Sequence, residues 1–471
     1  MTIPSRLRGK IKKFELETRP VGPKEQQALA KRWNDLPETA KSPGQLLGKR
    51  STGCEATHGV FPKCNFSCKP CYHSADANKV RIDGPHTINE VTKQMKYMND
   101  QRGFGQFAQL IGGEVSLLDP EDHAACLATM RELGRMPMSF THGDFDYDYL
   151  RSVAVDRTGR PRFSHLAFAA HFDSTMVGRT GVKKPSSEAE LAEHRHNFCG
   201  MFERLRAEFG ITSYLAHNMT VTPGNIDQVA SVVRQSRADG WRLFSFQPAA
   251  FIGDSTRWNS KFRDLSSDVV WNEVEEGAGS VLPNQRLPYE GLRFGDLRCN
   301  RVTWGAYVNQ RYVPIVDDKS PADMATAERF IEAFPGSMVL QSRLQGTVRV
   351  VRSVIKNPGV IPHGLRWANR FAHRSGGIFQ DWRKAQPVTF VMHQFIDAKL
   401  TKKAWGHIKA GTRATEPATL EAQERLEACA YSMAHPETDD LVPACVQHGV
   451  LDPAENRALV TLLPLRPKLD S

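Results

Sequence analysis

The sequence predicts an α/β fold: a partial (β/α)6 barrel followed by an α+β C-terminal region. Three observations predict it. Between about 87 and 248, short apolar runs alternate with helical patterns, as in βαβ units on a parallel sheet. About six strands can be counted, too few for the closed eight-strand barrel. The rhythm then breaks near 250. This gives an N-terminal extension at 1–53, a barrel at 54–250 and a C-terminal region at 251–471. With 40% hydrophobic and 24% charged residues among 471, the chain can bury a large core. No run approaches the ~20 apolar residues of a spanning helix.

Taken in order, a first strand is expected near 55–61. A helix follows at 88–101 (INEVTKQMKYMNDQ), then a buried strand at 106–111 (QFAQLI), a helix at 120–134 and a strand at 136–141 (MPMSFT). Residues 163–171 read as strand, 185–208 as a long helix, 213–222 as strand, 225–239 as helix and 242–247 as strand. Beyond 250, a loop-rich stretch leads to a hairpin at 301–316, a helix at 318–333, a strand at 387–396 and a helix at 416–433.

Cys64, Cys68 and Cys71 fall within CNFSCKPC, a C-x3-C-x2-C spacing. Three thiolates on one short loop suit three irons of a [4Fe–4S] cube, whose ligands are normally cysteines. With no fourth Cys close by, one iron stays open, unless Cys54 reaches in. A structural zinc site usually needs paired knuckles or Cys/His pairs. Here only His58 and His73 stand near, which leaves a zinc or redox-sensing protein as the non-catalytic alternative. The second feature is LIGGEV, in which Gly112, Gly113 and Glu114 follow a predicted strand. Glycines at a strand end admit close backbone approach.

The spacing, placed after a first strand, and the GGE turn one helix and one strand later together resemble the radical S-adenosylmethionine (SAM) superfamily. The resemblance covers residues 54–248. It implies a [4Fe–4S] cluster on Cys64, Cys68 and Cys71, with SAM on its open iron. It also implies cleavage to a 5′-deoxyadenosyl radical that abstracts hydrogen from an unactivated carbon, and a reduced flavodoxin or ferredoxin as electron donor. Gly112, Gly113 and Glu114 would position the SAM amino group. Pro70 stands where the family has an aromatic, and Tyr72 follows the third Cys as the candidate contact. Polar residues at later strand ends complete the candidate cofactor set: Thr141 and His142, Asp173 beside His171, and Asn218 beside His217. Gln247 ends the last strand.

Six further cysteines remain. Cys126 and Cys199 sit in predicted helices and read as core. Cys54, Cys299, Cys429 and Cys445 match the ligand count of a second [4Fe–4S] cluster. Residues 424–448 are similar to the C-terminal part of tetraether-lipid synthase relatives, where an ERxxxC helix precedes a hairpin ending in P-x-C.

The net charge of +10 resides in two segments. Residues 1–20 carry a net +4, and residues 349–385 carry +7 with Asp381 the single acid. The second segment interleaves Arg with Val, Ile, Leu, Trp367, Phe371, Phe379 and Trp382. That composition suits a core-packed helix with a basic outer face, an anionic membrane surface or, third, RNA. Together with the tetraether-like tail it favours a lipid-like substrate, ahead of an RNA- or peptide-modifying radical enzyme. The polar, basic N-terminus makes a cytoplasmic enzyme, peripheral to the membrane, the expectation.

Overall fold

The computed structural model describes residues 21–73, 75–103, 106–253, 255–282, 291–336, 343–377 and 385–465. The basic residues 1–20, and Phe379, Asp381 and Trp382, lie outside the described residues.

Six strands follow in βα order: β1 (Cys54–Ala56), β2 (Gln106–Leu110), β3 (Arg135–Thr141), β4 (His165–His171), β5 (Thr212–Val221) and β6 (Leu243–Pro248). Each pairs in parallel with the next. The C-terminal region contributes β7 (Asn300–Val308), β8 (Arg311–Pro314), β9 (Gln386–His393), β10 (Tyr431–His435) and β11 (Asp440–Pro443). β9 joins β6 in parallel and β10 joins β1 in parallel. The sheet order is therefore β11-β10-β1-β2-β3-β4-β5-β6-β9-β7-β8. The α/β partial barrel predicted from sequence is present, with its parallel run lengthened from six strands to eight by segments far along the chain. The sheet is open, with β11 and β8 as its edges, and β11, β7 and β8 pair antiparallel.

Local chemistry sets the helix starts. Asp83 accepts from the His86 N–H, Asp119 from Glu121 and Asp146 from Tyr149, each satisfying an orphan donor of a first turn. The Asp83 cap starts the first barrel helix at Gly84, four residues ahead of the apolar periodicity. The helix read at 416–433 instead ends at Glu427. Tyr431 onward pairs with β1, and strand pairing displaces helix continuation there. Cys429 thus lies in the turn between the two.

The two sheet faces differ in side-chain size. On β4, Leu166, Phe168 and Ala170 face outward into the main core with Phe198 and Phe202 of the helix Ala192–Phe209. Ala169 of β4, Ala216 of β5 and Ser245 of β6 face the other way. Small residues there leave volume inside the barrel.

Glu55 on β1 is fully buried on the outer face. Arg135 on β3 donates to it through Nε at 2.9 Å and Nη2 at 3.2 Å, and Arg102 stands 3.8 Å away. Breaking such a pair leaves buried charge without compensation. Glu55→Gln is expected to lower unfolding free energy by about 3–5 kcal/mol, read as a shift of the denaturant midpoint. A change within experimental error would contradict the assignment.

Candidate active site

The three clustered cysteines stand on the loop after β1, at the carboxyl edge of the parallel strands. Backbone bonds tie this loop on two sides. The Gly113 N–H donates to Phe61 O (2.7 Å) and the Glu114 N–H to Lys63 O (2.9 Å). On the other side, Ser67 donates to Val177 O (2.8 Å) and Lys69 to Thr175 O (3.1 Å). The glycines are required by this approach. A Cβ at Gly113 would lie 2.1 Å from Lys63 O, and one at Gly112 would lie 2.6 Å from the Phe61 ring.

Cys64, Cys68 and Cys71 line a cavity of about 330 Å³ that runs along the inner face of the sheet. Burial pushes the Cys64 thiol up to about 12, and the charges of Glu114 and Cys71 add to it. Burial also drives Cys68 well above the ordinary thiol range. Such thiols stay protonated unless a thiophilic metal displaces the protons. The donor set is soft and comes from one loop, which fits an iron–sulfur cluster. Among the described residues, the His/Cys/Asp/Glu group drawn within 4.8 Å, the spacing of ligands to a single ion, is His58, His435 and Glu455.

In the His58 group the two imidazole rings stack at 4.0 Å. His58 Nδ1 lies 3.0 Å from Glu455 Oε2 and Nε2 lies 2.8 Å from Ala434 O. Both nitrogens face acceptors, so the imidazolium is the form that satisfies them.

The candidate cofactor residues divide into two groups. Tyr72, Gly113, Glu114, Thr141, His142 and Asn218 line the cavity, whereas Gly112 and Asp173 do not. The Glu114 carboxylate is fully buried and accepts from Ser116 N–H (2.9 Å), Ser116 Oγ (2.6 Å), Thr141 Oγ1 (2.6 Å) and His142 N–H (2.7 Å). It therefore fixes the ends of β2 and β3 relative to one another. His142 stacks on Phe66 of the cysteine loop at 3.9 Å, and its Nε2 lies 2.8 Å from Asn65 Oδ1. The Tyr72 hydroxyl donates to Gly112 O (3.1 Å). Asp173 sits behind the cavity wall. Burial opposes its charge, but the contact with His171 (2.7 Å) and the bonds from Thr175 and the Thr220 N–H hold its carboxyl below the usual range. His217 faces the outer core and accepts from Arg195 Nε at 3.1 Å.

No family model and no curated protein matches this chain. Among solved structures, Streptococcus suis SuiB bound to S-adenosylmethionine aligns with 48% of this chain and 47% of its own, at 10% identity and TM-score 0.32. The chain thus spans about half the length of SuiB. Native anSMEcpe with bound AdoMet aligns over 47% of this chain and 57% of its own, at 11% identity and TM-score 0.31. TYW1 with a lysine-pyruvate adduct aligns over 59% of this chain and 90% of its own, at 11% identity and TM-score 0.34.

Cys54, Cys299, Cys429 and Cys445 come from four separate segments, yet all line the same cavity as the clustered three. Burial raises Cys54 and Cys299 to about 11 each, and each also feels the charge of Cys429. The N-terminal extension holds this corner: Arg32 donates to Glu427 O (2.9 Å) and Cys429 O (2.7 Å). Arg425 Nε lies 3.1 Å from Cys299 Sγ. Cys126 and Cys199 are buried in the main core, as expected.

Several lining residues escaped the sequence reading: Thr175, Ser245, Arg257, Asn300, His393 and Arg425. Arg425 had a signal, its place in the ERxxxC run. Asn300 and His393 had none, because their contact at 2.5 Å depends on β7 pairing with β9. Burial holds the His393 imidazole down to about 4, so it is neutral.

Gly113→Ala is expected to displace the cysteine loop while leaving the sheet intact. Iron uptake by the reconstituted protein should fall well below wild type with an unchanged far-ultraviolet dichroism spectrum, and normal uptake would contradict the geometry. The His58 pair predicts a pH effect. Burial opposes the charge on His58, but Glu455 and the Ala434 carbonyl outweigh it and raise its pKa. The resulting stability is fully present below the free imidazole value of about 6.5. It is lost as pH rises through the raised folded value. Over that window, unfolding free energy should fall more steeply in wild type than in His58→Gln.

Proposed function

We propose that this chain is a radical SAM enzyme acting on an unactivated carbon of a lipid-like substrate. One observation carries the reading: the C-x3-C-x2-C loop is pinned by the GGE turn at the carboxyl mouth of a parallel half-barrel, and both open on one cavity. A [4Fe–4S] cluster on Cys64, Cys68 and Cys71 would supply the electron that cleaves SAM to methionine and a 5′-deoxyadenosyl radical, which then takes a hydrogen atom from substrate.

The chain's own residues do the binding and the shielding. Gly113, Glu114, Thr141, His142, Tyr72 and Asn218 form the wall beside the cysteine loop and are the SAM-positioning set. Met138, Phe140, Leu243 and Val391 make the deeper wall apolar. Such a wall excludes water from a reactive radical and accepts an alkyl chain. In the same cavity, Cys54, Cys299, Cys429 and Cys445 are the ligand set for a second cluster. A reduced flavodoxin or ferredoxin is the proposed electron donor, and the cytoplasm the proposed compartment. A ribonucleotide or peptide substrate would alter the deep wall's occupant and not the radical step.

Anaerobic reconstitution with iron, sulfide, SAM and dithionite should yield 5′-deoxyadenosine. Cys64→Ala, Cys68→Ala and Cys71→Ala should each abolish it while preserving the fold. Near-wild-type turnover in any of the three, or zinc as the bound metal, would overturn the proposal. Wild type should hold about eight irons and the triple cysteine variant about four. A triple variant with no iron would make the other four cysteines structural.

A further inference from the structure

The basic segment forms two helices, Arg343–Lys356 and Val360–Arg374, joined at Asn357–Gly359. Its inward face is fully used. Val354 and Val360 pack with Phe330, Ala333 and Phe334. Arg370 and Arg374 both reach the fully buried Asp323, at 2.6 and 2.7 Å. Trp367 donates its indole N–H to Ile315 O (2.8 Å) and stacks on Phe371 at 5.2 Å. These arginines and aromatics hold the hairpin to the protein.

The outward face has a different character. Val350, Val351, Ile355, Ile361 and Leu365 are exposed, Ile355 by 72% and Leu365 by 68%. With Ile315 they make up half of the twelve exposed large hydrophobic residues among the described residues. Val351 and Ile355, like Ile361 and Leu365, are four apart and share a helix face. Lys356 and Arg366 are exposed immediately beside Ile355 and Leu365. Residues 343–374 contain seven Lys/Arg and no Asp or Glu.

We propose that this face docks on an anionic lipid bilayer, with the aliphatic side chains entering the headgroup–acyl boundary and Lys356 and Arg366 meeting lipid phosphate. Aliphatic residues collared by cations match that boundary. RNA would be held by exposed aromatic stacking platforms, whereas Trp367 and Phe371 are half-buried and stacked on each other. The docking surface lies outside the cysteine-lined cavity and stands independently of the radical chemistry.

Co-sedimentation of the full chain with mixed phosphatidylserine/phosphatidylcholine vesicles, against pure phosphatidylcholine, tests the proposal. Wild type should bind the anionic vesicles preferentially. Lys356→Gln/Arg366→Gln should weaken binding roughly 30-fold at low salt, with the difference shrinking at high salt. Ile355→Ser/Leu365→Ser should weaken it by on the order of tenfold or more at any salt. Both double variants should retain wild-type dichroism and 5′-deoxyadenosine formation. Absence of vesicle binding by wild type, preference for RNA over vesicles, or a dimer that dissociates in Ile355→Ser/Leu365→Ser would each overturn it.

Discussion

The site depends on one close approach between two backbones. Gly112 and Gly113 end β2 so near to Phe61 and Lys63 that no side chain fits between them. Two hydrogen bonds donated by the Gly113 and Glu114 N–H groups then fasten the lead-in of the cysteine loop across the end of the sheet. Glu114 continues the link by bonding Thr141 and the His142 amide at the end of β3, and the His142 ring stacks on Phe66 within the loop. Three successive strand ends and the three cysteines therefore form one connected unit. The GGE turn positions the loop as much as it offers a surface to a ligand.

Around that unit, size and topology make the chamber. Outward-facing Phe and Leu residues fill the core beneath the helices, and alanines and serine on the inward face leave the cavity open. The C-terminal region is part of the same sheet, because β9 and β10 extend its parallel run at opposite edges. This arrangement carries Cys299, Cys429 and Cys445 to the same cavity as the clustered cysteines. Arg32 secures the Cys429 turn from the N-terminal extension. A chamber lined by seven cysteines and by apolar side chains suits chemistry that must be kept from water.

What could be read from sequence was what short segments encode. The six barrel strands, the C-x3-C-x2-C loop and the GGE turn are local patterns, and each lies where the βα rhythm placed it. Side-chain caps such as Asp83 shifted helix starts, which periodicity alone does not register. Long-range pairing was invisible: Cys54 pairs in register with Tyr431 across the chain, so the predicted long C-terminal helix gives way to β10. The polarity of strand ends marked a region and not a role. Thr141, His142 and Asn218 reach the cavity, whereas Asp173 is spent on His171, Thr175 and Thr220, and His217 on buried Arg195. The same holds in the basic segment, where Asp323, outside the run, turns Arg370 and Arg374 into internal struts.

The central claim is that Cys64, Cys68 and Cys71 leave one iron open for the amino and carboxylate groups of SAM. Electron–nuclear double resonance of the reduced, reconstituted protein with nitrogen-labelled SAM tests it most directly. The account predicts a hyperfine coupling from the labelled amino nitrogen to the cluster, retained when Cys54, Cys299, Cys429 and Cys445 are replaced and absent when Cys68 is. A cluster spectrum unaffected by labelled SAM would contradict it.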